Sequence, residues 1–381
     1  MFSASSPSLL DNEHILEIPP TSTAPEQGFS TAGACQRALI NQLCLDAFLC
    51  MLREEFSVTS KIYPNHAALA SIWEFVNGTA ISFGSVRLIL IPTLAMDGDE
   101  LRVSQEWIDI PEWVGDYYLA VQVNPDEGWI RVYGYTNHQK IKTLGVYNPS
   151  DRTYSVESED LIQDLNVLWL TTQYYPEVTR AEVTALQPLP QTQAENLLQR
   201  LGSNIKFPRL EIPFQLWGAL LAHGGWRQRL YELRQGLTQQ TSVIQWLTDG
   251  VSNFATQLGW STREFLAAPS SMRSREASTV GLSRQLLVSN SIYELRVFSK
   301  GNAEELVWRF ELRSSNPDNL IPSGFKLRLL TEDLQTFTNN EDTATAPVEQ
   351  LYVEVMLESG EGIVWEVEPT PEDYEREILR F

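Results

Sequence analysis

The side chains best suited to chemistry here are four histidines, three cysteines and one dense run of rings and carboxylates at residues 107–118. In that run Asp109, Glu112 and Asp116 are interleaved with Trp107, Trp113, Tyr117 and Tyr118. Such a mixture can stack a sugar ring and hydrogen-bond its hydroxyls, and a carboxylate pair can hydrolyse a glycosidic bond. The same rings can instead fill the core and rim of a small β-barrel. His138 follows a strand-like stretch in a polar turn (Thr136, Asn137, Gln139, Lys140), which makes it the best single candidate for a general base. A histidine hydrogen-bonded for structure is the alternative.

Other signatures of catalysis are missing. The sequence holds no phosphate-binding GxxxxGK[ST] loop, no GxGxxG after a strand, no GxSxG elbow and no HExxH. His14, His66, His138 and His223 are scattered, and no two share a helical turn. Cys35, Cys44 and Cys50 form no CxxC pair and sit in one apolar helical segment, where core packing is the default. An odd, clustered set of thiols is no disulfide framework and suits a reducing compartment. Neither a metal nor a cofactor is therefore expected.

The elements that position these residues follow from periodicity. Residues 1–30 mix Ser, Thr, Pro and charge and read as a flexible arm, with Ile15, Leu16 and Ile18 able to form a short strand. Apolar residues at three- and four-residue spacing predict a helix over 34–56, and a shorter one over 65–76. Residues 86–91 and 117–123 predict strands, the second joined to 129–135 by the turn Asn124-Pro125-Asp126-Glu127-Gly128. Further strands are predicted near 142–147 and 153–156. Helical spacing returns over 193–201, 213–234 (split at Gly224–Gly225) and 243–266. Beyond a Ser-rich linker, strand-like runs at 282–288, 292–298, 306–312, 325–330, 351–357 and 363–367 predict a β-sandwich. The expected architecture is α+β. It comprises an arm (1–30), helices packed on a small antiparallel β-barrel or sheet (31–175), a helical connector (176–268), a linker (269–280), a β-sandwich (281–368) and an acidic tail (369–381).

Composition narrows the function classes. A net charge of -21 repels nucleic-acid backbones and anionic membranes. The most apolar segment, 38–52, is too short to span a bilayer. The first residues show no basic stretch leading into an apolar one, so a soluble cytoplasmic protein is expected. The acidity is uneven, however: residues 200–284 hold ten basic against five acidic side chains, a net of +5. Arg227, Arg229, Arg234, Arg273 and Arg275 in this stretch can face an acidic protein partner, or pair with the chain's own acidic C-terminal residues.

Several rare combinations occur in one order: Val86 to Pro92, Glu106 to Pro111, Asp116-Tyr117-Tyr118, Gly134 to His138, Asp151 to Tyr154 and Trp217 to Leu221. Together they resemble a group of cyanobacterial proteins known as domain of unknown function 1822, over roughly residues 34–266. The resemblance supplies no catalytic residues, and it implies a setting beside regulatory components such as sigma factors and caspase-like proteases. The expectation is a non-enzymatic interaction or regulatory protein. Its rivals are a carbohydrate-binding protein or glycosidase using 107–118 with His138, and a regulator that binds a sigma factor through the basic stretch.

Overall fold

A computed structural model describes residues 14–56, 60–174, 178–203, 205–237, 241–266, 278–300 and 307–381. The linker residues 267–277, with Arg273 and Arg275, and the arm residues 1–13 lie outside the described residues. The chain forms two compact units, the first comprising residues 1–63, 69–186 and 206–218, the second 64–68, 187–205 and 219–381. Helix and strand are mixed in the chain, which contains several sheets.

The first unit begins with β1 (His14–Glu17) and α1 (Ala32–Phe56). Thr31 Oγ1 accepts from the Ala34 amide at 3.1 Å, satisfying one of the free donors at the start of α1. Ala34, Ala38, Asn41, Leu45, Phe48 and Leu52, spaced by three or four, make its buried face. There follow β2 (Ser60–Tyr63), α2 (Leu69–Trp73), β3 (Thr79–Phe83), β4 (Val86–Thr93), β5 (Glu100–Ser104) and α3 (Gln105–Asp109). Next come β6 (Tyr117–Asn124), β7 (Trp129–Asn137), α4 (His138–Leu144), β8 (Val146–Asn148), β9 (Thr153–Glu157) and α5 (Leu165–Tyr174).

The main sheet has the order β1-β7-β6-β4-β3-β2. The predicted hairpin is present: β6 and β7 are antiparallel, and Gly128 closes the turn at φ +74° with its amide on the Asn124 carbonyl. The sheet is nevertheless not purely antiparallel. β4 and β6 run parallel, because the chain leaves through β5 and α3 before re-entering in the same direction. Both are central strands buried on two faces, which is why they read as near-continuous apolar runs. A second correction concerns 142–147. Residues 138–144 are helical, while β9 pairs with β5 on one side and β8 on the other in a separate three-stranded sheet.

The second unit contains α6 (Gln191–Leu201), the end of α7 (Phe214–Ala222), α8 (Gly224–Gln235), α9 (Val243–Asp249) and α10 (Asn253–Gln257). Its strands are β10 (Trp260–Leu266), β11 (Ser278–Val288), β12 (Ser291–Ser299), β13 (Val307–Ser314), β14 (Lys326–Thr331), β15 (Glu341–Thr343), β16 (Gln350–Met356), β17 (Gly362–Glu368) and β18 (Ile378–Arg380). They form sheets β10-β11-β12-β13-β16 and β15-β14-β17-β18, whose inward residues, among them Trp260, Phe310, Leu327 and Trp365, share one core.

Two expectations fail here. Residues 260–266, read as the end of a helix, are a strand: Gly250 and Gly259 take φ of +95° and +90°, which ends helical continuation on either side of α10. Residues 369–381 are not a solvated acidic tail, because β18 pairs with β17 and carries Ile378, Leu379 and Phe381 into the interior.

Candidate functional site

The aromatic run lies on α3, the following turn and the start of β6, and its rings point inward. Trp107, Trp113, Tyr117 and Tyr118 are all buried. Trp107 Nε1 donates to the Asn77 carbonyl at 2.8 Å, and its ring lies 5.0 Å from that of Trp113. The Tyr118 hydroxyl donates to the Trp107 carbonyl at 2.7 Å and accepts from the Gly115 amide at 3.1 Å. Rings spent in this way cannot stack on a sugar in solvent, so the reading of 107–118 as an open platform is corrected.

The carboxylates of the run are occupied separately. Asp109 accepts from Lys142 Nζ at 2.8 Å, from the Tyr154 hydroxyl at 2.9 Å and from Gln105 Nε2 at 2.9 Å. Burial, and after it Asp109, push the Tyr154 phenol up against the opposing pull of Lys142. Burial alone would lower the Lys142 ammonium, but its bonds to Asp109 and Tyr154 outweigh that and raise it. A lysine held charged and a phenol held neutral suit neither base nor nucleophile. Asp116 accepts from both Arg180 Nε and Nη2 at 2.8 Å, from Thr179 Oγ1 at 2.7 Å and from the Arg87 amide at 2.7 Å. Burial opposes ionisation there, yet these donors hold its carboxyl below the usual range. Glu112 is exposed, and its carbonyl accepts from the Tyr63 hydroxyl and Arg87 Nη1.

His138 is not a loop residue but the first residue of α4, and it is 0% exposed. The Ala181 amide donates to Nδ1 at 3.0 Å, which places the ring proton on Nε2, donating to the Ile108 carbonyl at 2.9 Å. Burial lowers its pKa, so the neutral ring is the resident form. With both nitrogens bonded to backbone it has no free lone pair for a substrate. Cys44 is buried and its thiol is pushed far up by burial; that of Cys50 is raised by a bond to Glu54 first. Among the described residues no cluster of His, Cys, Asp or Glu is arranged to hold a metal ion.

Within the basic stretch, Arg227 and Arg284 are buried. Arg227 is 1% exposed, with Nη2 on Glu375 at 2.6 and 2.7 Å and Nη1 on the Leu221 carbonyl at 3.0 Å. Arg229 pairs with Glu232 at 3.4 Å, and Arg234 donates to the carbonyls of Leu201 and Ser203. A partner could reach Arg227 only by breaking its ion pair.

Several anchoring residues were invisible to pattern reading. Glu106 is buried and accepts from Arg209 at 3.0 and 2.7 Å and from Trp217 Nε1 at 2.7 Å. No local signal joins positions so far apart in the chain. Arg180, in a stretch without regular structure, likewise gave no hint that it clamps Asp116.

The first unit has a cleft of about 480 Å³ beside β5 and the 94–99 turn. Asp97, Asp99, Glu100 and Glu157 line it, together with Asn77, Thr93, Ser104, Tyr133 and Thr153. Its one cation, Arg102, is already paired with Glu100 at 2.5 Å and Asp151 at 3.4 Å. The Tyr133 phenol is pushed up to about 12, by burial first and then by Asp97 and Glu100. Beneath Gly98, which takes φ +65°, the buried Gln122 amide accepts from Arg131 through Oε1, while its Nε2 has no hydrogen-bond partner among the described residues. Such a lining can hold an organic cation: at about 4 Å a carboxylate–cation pair near a protein surface gains on the order of 1–4 kcal/mol before screening.

A family model described as "Protein of unknown function (DUF1822)" matches residues 22–380, extending well beyond the stretch that carried the resemblance in the sequence. No curated protein and no solved structure matches the chain.

Proposed function

The chain belongs to the DUF1822 family, and we propose that it acts by contact rather than catalysis, taking a basic segment of a protein partner into the acidic cleft of its first unit. The cleft lining carries this reading: of its four acidic residues Glu100 pairs with Arg102, which Asp151 also neutralises, and Asp97, Asp99 and Glu157 remain for a partner's cations. The engagement of both His138 nitrogens, and the raised Lys142 and Tyr154, support a non-catalytic role. A regulatory setting in a reducing cytoplasm is part of the proposal, since the three thiols are unpaired. The two sheets around one core support reading the second unit as a β-sandwich.

A short, labelled, arginine-rich peptide titrated by fluorescence anisotropy tests the cleft. Binding should weaken with added salt. It should fall about tenfold in the Asp97→Asn, Asp99→Asn, Glu157→Gln triple variant, each carboxylate contributing roughly 0.5 kcal/mol. Equal affinity of the variant and the unaltered chain would sink the proposal.

A further inference from the structure

A second seat, sharing no residue with the cleft, is already filled by the chain itself. Residues 178–181 have no regular secondary structure, and they lie along Asp116 and His138. Arg180 forks onto the Asp116 carboxylate, and Thr179 Oγ1 adds a third donor. The Thr179 carbonyl accepts from the Gln139 amide at 2.9 Å, and the Ala181 amide donates to His138 Nδ1. Main-chain bonds on either side of a bidentate arginine are the ordinary grammar of extended-peptide recognition.

Seat and occupant are built differently. The seat is fixed from below: Asp116 exchanges hydrogen bonds with the Arg87 backbone in both directions at 2.7 Å, and His138 is anchored to the Ile108 carbonyl. Side-chain exposure is 14% for Asp116 but 40% for Arg180, and Val178 is 77% exposed. The segment is therefore held by polar contacts near solvent, with little apolar burial, and such contacts open at low free-energy cost.

We infer that Asp116, His138 and the Gln139 amide form a recognition site for an extended protein segment centred on arginine, and that residues 178–181 occupy it as an internal ligand which a partner segment displaces. The tether gives the internal ligand an effective concentration on the order of millimolar, so it masks the site from weak competitors.

The probe is a labelled, end-capped peptide with the chain's own sequence Val-Thr-Arg-Ala-Glu-Val, titrated into the full chain. Arg180→Ala removes the internal guanidinium and leaves the seat intact. The peptide should bind this variant at least about tenfold more tightly than the unaltered chain. A peptide with alanine in place of its arginine should lose that binding, which holds the arginine requirement to account without altering the protein. The same Arg180→Ala change made in the Asp97→Asn, Asp99→Asn, Glu157→Gln chain should retain peptide binding. Equal binding by the Arg180→Ala and unaltered chains, indifference to the peptide's arginine, or loss with the cleft variants would each overturn the assignment.

Discussion

Arg227 and Glu375, 148 positions apart in the chain, meet as a buried ion pair in which one guanidinium nitrogen donates to both carboxylate oxygens at 2.6 and 2.7 Å. A second long-range pair lies in the same unit. Glu377 Oε1 accepts from Arg284 at 2.7 Å, Trp365 Nε1 at 2.8 Å and Trp260 Nε1 at 3.0 Å. The acidic residues near the C-terminus thus neutralise arginines from the basic stretch inside one unit.

The first prediction is drawn from that pair. Glu375→Ala takes this carboxylate from a guanidinium that is 1% exposed and should cost up to about 3–5 kcal/mol in denaturant unfolding of the second unit. Arg227→Met combined with Glu375→Leu removes both charges and should cost clearly less than the single change. A double variant as unstable as Glu375→Ala would show that packing, not the lost ion pair, sets the loss.

Acid sensitivity follows from His223. It caps α8, its Nε2 donates to the Glu332 carbonyl at 3.0 Å, and burial, then the Arg376 charge, lower its pKa to about 3. A histidine depressed in the folded state contributes stability that is fully present above its unfolded pKa of about 6.5 and is lost as pH falls toward the folded value. The loss should approach 1.4 kcal/mol per pH unit below about 6. His138, lowered in the same direction, adds to it; Glu332, raised by burial, has the opposite sign and offsets part. Melting temperature measured between about pH 7 and pH 4.5 should fall less steeply in His223→Gln, and parallel curves would refute the assignment.

The third prediction separates core from groove. Trp113→Ala empties a buried site against Trp107 and should cost about 3–5 kcal/mol. Glycan-array binding should be the same before and after the change. An exposed sugar platform would give the reverse, lost glycan binding with little change in melting.

Periodicity alone determined a good part of this protein. Repeats of three and four residues placed α1, the Asn124–Gly128 turn fixed the β6–β7 hairpin, and six short runs with turn residues between them anticipated the strands from β11 to β17, short β15 excepted. These are local properties, set by side-chain direction along one element. Where a short apolar window fits both periods, as at Trp260–Leu266, local pattern could not choose, and pairing with β11 decided for strand. Only tertiary structure could decide the parallel β4–β6 pair, the burial of Glu106 on Arg209, the seating of Arg180 on Asp116, and the opening of the acidic cleft beside β5 rather than along residues 107–118. A carboxylate reads alike in sequence whether it meets water or a distant arginine, because its partner is brought to it by the path of the chain.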